Sequence, residues 1–282
     1  MALAFLSPSL LGLLVFVLGP TAFSLAIGFT DWNGLQRPVW VGLGNYGQLF
    51  SDDLFGKSLA NTVLYTAEFI PLTLVSCTVL ALLINRTTAG ISVVRVLFFL
   101  PIVTDMISVS FVWTWIYHYR FGVLNYILSL VGIAPQAWLG DARWALFALV
   151  ILSVWRWAGY FALILVAGLQ GIPKEVQEAA LIDGAGRRQL VTKITLPLLT
   201  PTLFFVITTG IMSSLQVFEQ MWVMTKGGPL NSTISICMLL YRQGFQFLKM
   251  GYASAIAWVL FLLIFGVTAI NWMLRRSWVF ED

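Results

Sequence analysis

Charge is what this chain has least of. Asp, Glu, Lys and Arg supply 10% of its 282 residues while 59% are hydrophobic, a balance that would leave a soluble domain with far too much apolar surface in water. The net charge of +4 is small and scattered, so no basic face is available for nucleic acid. Two cysteines, Cys77 and Cys237, are too few for a disulfide framework, and Cys77 stands inside an apolar run. With His118 as the single histidine, a histidine-built metal site has no ligand set to draw on. These shortages point to the bilayer as solvent and to a chain without a cofactor or metal of its own.

Long apolar runs are what the sequence does have. They cover roughly 3–29, 58–84, 94–117, 144–169, 198–218 and 251–274, each near or above the ~20 residues a helix needs to cross the hydrocarbon core. No basic residue precedes the first run, it is too long for a signal-peptide core, and no cleavage site follows, so it is expected to be a retained span. The stretch 233–241 is too short to cross and is followed by Arg242, Gly244 and Lys249, which predicts a short interfacial or re-entrant helix. The expected fold is an all-α membrane protein of six transmembrane helices, with 1–282 forming a single transmembrane domain.

Six spans put both termini on one side. Lys and Arg divide almost evenly between the two sets of loops. However, Arg86, Arg95, Arg187, Arg188, Lys193, Arg275 and Arg276 crowd span ends on the set holding 85–93, 170–197 and the C-terminal tail. The positive-inside bias acts at span ends and predicts that both termini and the 170–197 loop are cytoplasmic.

That loop has readable internal structure. Pro173 suits the first turn of a helix, where its missing N–H costs nothing, and Glu175 and Glu178 favour the positive end of the same helix. A helix over 174–183 is predicted, with Gly184 and Gly186 permitting the left-handed backbone that ends it. A second helix over 187–194 should stop at Pro197. Ala179 and Ala180 leave one face of the first helix flat enough for close approach by another chain. On these grounds alone, a connector lying on the membrane surface and a docking helix both fit.

Charges inside spans are costly and face protein or water. Glu68, Asp105 and Arg156 are the candidates, with Glu219 at a span end. Arg156 lies between Trp155 and Trp157 with Tyr160 one turn on, and Thr208, Thr209, Ser213, Ser214 and Gln216 form a polar stripe in the fifth run. Two accounts remain open. Arg156 pairs with Asp105 or Glu68 while the hydroxyls pack helix to helix, or these groups line a polar pathway in which Trp and Tyr offer flat faces to sugar rings. Gly56, Lys57 and Ser58 imitate a phosphate loop, but the glycine needed five residues before Gly56 is Ser51, and Asp52 and Asp53 would repel phosphate. A secondary transporter should carry an internal repeat and its own coupling-ion site, and a membrane enzyme needs convergent acids, bases or metal ligands. The sequence offers neither.

The spacing Glu178, Ala179, Ala180, Gly184, Ile194, Leu196 and Pro197, between the fourth and fifth of six spans, resembles the EAA signature of ABC importer permeases. Residues 138–141 (Trp-Leu-Gly-Asp), 168–173 (Gly-Leu-Gln-Gly-Ile-Pro), 215–219 (Leu-Gln-Val-Phe-Glu), 225–229 (Thr-Lys-Gly-Gly-Pro) and 251–255 (Gly-Tyr-Ala-Ser-Ala) extend the resemblance to the carbohydrate-uptake branch, typified by maltose-type and glycerol-3-phosphate-type importers. Two features depart from the family: no basic segment precedes the first span, and there is no large extracytoplasmic insertion.

The resemblance implies a type I importer permease fold with a coupling helix, in a bacterial or archaeal cytoplasmic membrane. It implies a second, different permease subunit, two ATPase subunits that bind ATP and Mg, and an extracytoplasmic solute-binding protein. Glu178, Ala179, Ala180, Asp183, Gly184, Ile194, Leu196 and Pro197 would then couple to the ATPase. A sugar pathway between the spans flanking the loop would use Arg156, Trp157, Tyr160, Ser213, Ser214 and Gln216, and Arg156 could equally meet the phosphate of a polyol phosphate. The 225–229 turn is either a plain turn or a gate beneath the binding protein.

Overall fold

The computed structural model describes residues 2–85 and 90–280. Arg86, counted above among the span-end cations, lies outside the described residues. The first half of helix α1 (Leu6–Ile27) is exposed, with Phe16 80% exposed, while its end packs against the last long helix of the chain and Ile27 is buried. A two-stranded antiparallel ladder follows, β1 (Thr30–Asp31) on β2 (Val39–Trp40), pairing Thr30 with Trp40. After α2 (Gly44–Ser51), the Asp52 side chain accepts from the Leu54 N–H at 2.8 Å and starts α3 (Asp53–Ile84), the longest helix among the described residues. Gly56, Lys57 and Ser58 lie in its first turns, with Lys57 Nζ donating to the Leu230 carbonyl at 2.5 Å.

The third apolar run is not one straight span. It divides into α4 (Ile91–Val103) and α5 (Met106–Ile116), bent by 100° at Thr104 and Asp105. Pro101 removes a backbone donor in the last turn of α4, Thr104 is extended, and the Asp105 carboxylate accepts from the Ser108 N–H at 2.9 Å to begin α5 afresh. Together with this bent pair, five further stretches long and apolar enough to cross a membrane bring the possible crossings to six among the described residues.

A short helix, α6 (Val123–Leu130), precedes α7 (Ala145–Gly171). The 138–141 motif forms the entry turn of α7: the Asp141 carbonyl accepts from Trp144 and Ala145, and its carboxylate pairs with Arg143 at 2.7 Å. That guanidinium holds the Asp141 carboxyl below the usual carboxylate range. Beyond α7 come α8 (Lys174–Ile182) and a helical stretch over 187–198. The fifth run follows as α9 (Thr200–Leu215), a break, and α10 (Glu219–Met224), so Glu219 lies inside this crossing and not at its end. Helices α11 (Ile236–Tyr241) and α12 (Met250–Trp278) complete the chain. A short helix does form within the 233–241 stretch, and it is enclosed by protein: Ile234, Ile236, Met238 and Leu239 are fully buried against α3 and α12.

The core runs along the α3–α7 seam. One cluster joins Tyr65 and Phe69 to Leu149 and Leu152, and a second joins Cys77, Ala81 and Ile84 to Phe161, Leu165 and Leu169. Between helices in lipid the hydrophobic effect contributes little, and close packing at small residues takes over. A side chain on Gly159 would collide with the Phe98 carbonyl of α4, and one on Gly168 with the Thr202 hydroxyl of α9. These two glycines let the neighbouring helices lie against opposite stretches of α7.

Candidate functional site

Two surfaces carry the residues singled out by the sequence. The first is the 172–199 segment. Helix α8 ends one residue earlier than expected: Asp183 is its cap, and Gly184 takes φ +83°. Gly184 N–H donates to Leu181 O at 3.1 Å and Ala185 N–H to Ala180 O at 2.9 Å, the paired bonds of a Schellman terminus. Gly186 is not left-handed. Its φ of −70° and ψ of 162° make it the extended cap of the next helix, whose Gln189 side chain accepts from the Gly186 N–H at 3.0 Å.

That second helix does not stop at Pro197. It continues through a π segment, Leu190–Thr195, into Leu196–Leu198. Pro197 has no N–H to offer the carbonyl of Lys193, and the wider π turn absorbs the mismatch. Thr195 is buried, and its hydroxyl donates to Leu190 O at 3.1 Å. Ile194, Leu196 and Pro197 are half-buried and brace this turn. On α8, Glu178, Ala179 and Asp183 face outward, while Ala180 turns inward and is buried, so the flat alanine face is half the expected one. Beside Glu178, Leu181 is 53% exposed and Ile182 86%, a strongly apolar tip on a loop outside the spans.

The second surface is a cavity of about 260 Å³ between the two helix breaks. Its wall takes Arg156 and Trp157 from α7, Ser213 and Gln216 from the α9 end, and Met106 at the start of α5. Val217, Phe218, Glu219 and Gln220 close it from the α9–α10 break. Tyr160 and Ser214 are not on this wall. Tyr160 packs edge-on to Trp157 at 5.8 Å, and Ser214 is buried with its hydroxyl donating to Ile211 O.

Arg156 is held by backbone. Nη1 donates to Thr104 O at 2.7 Å and Nη2 to Ile102 O at 3.4 Å, the carbonyls left open where α4 ends. No ion pair to Asp105 or Glu68 forms among the described residues; Asp105 is engaged with Ser108, and Glu68 keeps one buried oxygen without a partner. Ser213 and Gln216 donate to carbonyls of their own helix, Thr209 O and Met212 O, both at 2.9 Å. Behind the wall Gln220 Nε2 donates to Tyr65 Oη at 3.0 Å and Ser153 Oγ at 3.1 Å, and Tyr65 donates to Ser153 at 2.6 Å. Ser153 Oγ in turn donates to Leu149 O at 2.9 Å, which ties the three side chains to the backbone of α7. Sequence reasoning missed Tyr65, Ser153 and Gln220, because three elements must meet before the network exists.

The family profile described as binding-protein-dependent transport system inner membrane component matches residues 78–278, most of the chain. The chain belongs to that family. The permease is 34% identical over 270 residues to the trehalose/maltose transport system permease protein MalF of Thermococcus litoralis, covering 93% of this chain and 89% of that protein. It is 30% identical over 279 residues to the lactose transport system permease protein LacF of Rhizobium radiobacter, covering 97% and 93%. Its backbone superposes on a chain of a bacterial alginate ABC transporter, crystallised with an alginate pentasaccharide-bound periplasmic protein, at TM-score 0.85 and 22% identity over 97% of this chain and 93% of that one. The permease therefore has the type I importer permease fold and is an integral component of the cytoplasmic membrane.

Proposed function

We propose that this permease forms half of the translocation pathway of an ATP-driven importer for a sugar or related carbohydrate. It alternates between inward- and outward-facing states under the control of a separate ATPase. The observation that carries the coupling is α8: a capped helix outside the spans that presents Glu178 beside the exposed apolar Leu181 and Ile182. An apolar tip next to a carboxylate suits a groove on another protein, where Glu178 makes a charge-assisted hydrogen bond. The helix is joined to α7 at Pro173 and to α9 through the braced π turn, so force applied at α8 reaches both walls of the cavity.

Carbohydrate as the cargo is supported by the maltose and lactose relatives and by Trp157 and Phe218 on the cavity wall. Because Arg156 is taken up by the Thr104 carbonyl, a neutral carbohydrate is favoured over glycerol 3-phosphate or another polyol phosphate. ATP and Mg belong to the partner ATPases in this account, a second and different permease completes the pathway, and a binding protein delivers cargo from outside.

The test is purification of the chain from its native membrane in mild detergent, with identification of the proteins that accompany it. Recovery of an ATPase, a second permease and a solute-binding protein is the expected result. Recovery of the chain alone, without ATPase activity, sinks the proposal.

A further inference from the structure

The cavity between the helix breaks has an aromatic margin that continues away from it. Phe218 closes the cavity at the α9–α10 break. Its ring stacks on Trp222 of α10 at 5.9 Å and tilts against Tyr241, the last residue of α11, at 5.3 Å. Trp222 and Tyr241 meet edge to face at 5.1 Å, and Tyr241 stacks on Phe245 at 5.5 Å. Phe245 stands in the π segment Arg242–Gln246 that prolongs α11, and it is 64% exposed. The four rings thus form one unbroken series from the cavity wall to an open face.

The direction of this series follows from α12. The Phe280 N–H beyond its end donates to the Thr200 hydroxyl at 2.8 Å, so that end lies where α9 begins, on the α8 side. With 29 residues α12 is long enough to cross, which sets its other end, Met250, on the opposite surface. Phe245 comes just ahead of Met250, so the series runs from the cavity toward the surface away from α8.

The rings are not sealed by protein. Phe218, Trp222 and Tyr241 are half-buried. Trp222 Nε1 and Tyr241 Oη make no hydrogen bond among the described residues, and neither is a fully enclosed atom. A Trp N–H or Tyr O–H without a partner is costly inside protein or lipid, so both tips face a polar medium or a polar guest. Exposed amides accompany the rings, Gln216 on the same cavity wall as Phe218 and Gln246 next to Phe245 in the chain. Flat apolar faces interleaved with hydrogen-bonding groups match a sugar ring, which has C–H faces and an equator of hydroxyls.

We infer that Trp222, Tyr241 and Phe245, with Phe218 at the inner end, form a carbohydrate-binding strip that leads cargo from the outer surface into the cavity. The inference rests on carbohydrate being the cargo. Phe245 takes a sugar face first, and the two polar tips hold its hydroxyls on the way to Phe218.

The experiment uses the assembled transporter in liposomes, with its binding protein and a pool of labelled neutral di- and oligosaccharides that includes maltose and lactose. Phe245→Leu keeps an apolar side chain but removes the flat face, and Phe245→Trp restores one. Import by Phe245→Leu should fall by about fivefold or more, with its melting temperature and its assembly with the ATPase unchanged. Phe245→Trp should recover most of the loss. Parental import by Phe245→Leu overturns the strip and leaves carbohydrate as the cargo. An equal fall in both variants also overturns it, since the position then acts through packing and not through a flat ring. No import by the parent overturns carbohydrate as the cargo, and the strip with it. A photoactivatable derivative of whichever sugar is imported, applied to the unsubstituted transporter, gives the decision without any variant: labelling within 218–222 or 241–245 supports the strip, and labelling confined to other segments contradicts it.

Discussion

Arg156 Nη1 donates to the Thr104 carbonyl at 2.7 Å, and Asp105, the next residue, accepts the Ser108 N–H at 2.9 Å. A bend of 100° inside a crossing opens carbonyls on one helix and N–H groups on the next, in a medium with no water to satisfy them. Here a cation meets the C-terminal end and an anion the N-terminal end, each matching the sign of the helix dipole it faces. The break beside the cavity is thus held from both sides by side chains.

Replacing Arg156 with Met should destabilise the permease by about 2–3 kcal/mol, the scale of a charged hydrogen bond with its carbonyl left open. Arg156→Lys, which can reach one carbonyl but not fork, should retain part of the stability. Thermal unfolding in detergent measures both. An Arg156→Met variant as stable as the parent would show that the bend does not depend on this contact.

Gly159→Val should separate α4 from α7, because the added atoms occupy the place of the Phe98 carbonyl. Overpacking of this kind costs about 1–3 kcal/mol or more. The expected outcome is a lower melting temperature with membrane insertion retained. Gly171→Ala, with open space around the new Cβ, should change little by the same assay.

The Tyr65, Ser153 and Gln220 network predicts non-additivity. Tyr65→Phe removes the Tyr65–Ser153 bond and takes away one acceptor of Gln220, which still donates to Ser153, and should cost about 1–3 kcal/mol. Ser153→Ala made on top of Tyr65→Phe should cost less than it does alone, since the partner is already lost. Equal costs in the two backgrounds would mean that the three groups do not act together.

Much of this was legible in the sequence because the bilayer imposes length. The apolar runs located the crossings, and the pattern of Pro173, Glu175 and Gly184 located α8 to within one residue of its end. Hydropathy carries no direction, however, so a run with two opposed axes reads like one span; Pro101 and Asp105 marked the break without revealing its angle. Pro197 read as a stop because the π turn ahead of it follows from backbone bonding that residue types do not encode. Arg156 invited a carboxylate partner for a similar reason, since the carbonyls that hold it belong to Ile102 and Thr104, and any residue there would present them. Ser214 and Ser213 look alike in sequence, yet only Ser213 reaches the cavity wall.

Gly184 separates backbone geometry from side-chain contact. Nothing lies within 4 Å of a Cβ added there, so Gly184→Val acts through its left-handed φ of +83° alone, at a cost of about 1–2 kcal/mol. Gly184→Asn tolerates that conformation and should keep the helix end and its function. Loss of ATPase coupling in both variants would assign Gly184 some role other than the turn.

The most direct measurement is the ratio of carbohydrate imported to ATP hydrolysed by the assembled transporter in liposomes, for the parent, Glu178→Ala and Ile182→Asp. This account predicts that both variants insert and keep the second permease, but import falls at least tenfold while ATP hydrolysis is lost or runs without transport. An unchanged ratio at the parental import rate in both variants would contradict the claim that α8 transmits the work of the ATPase to the pathway.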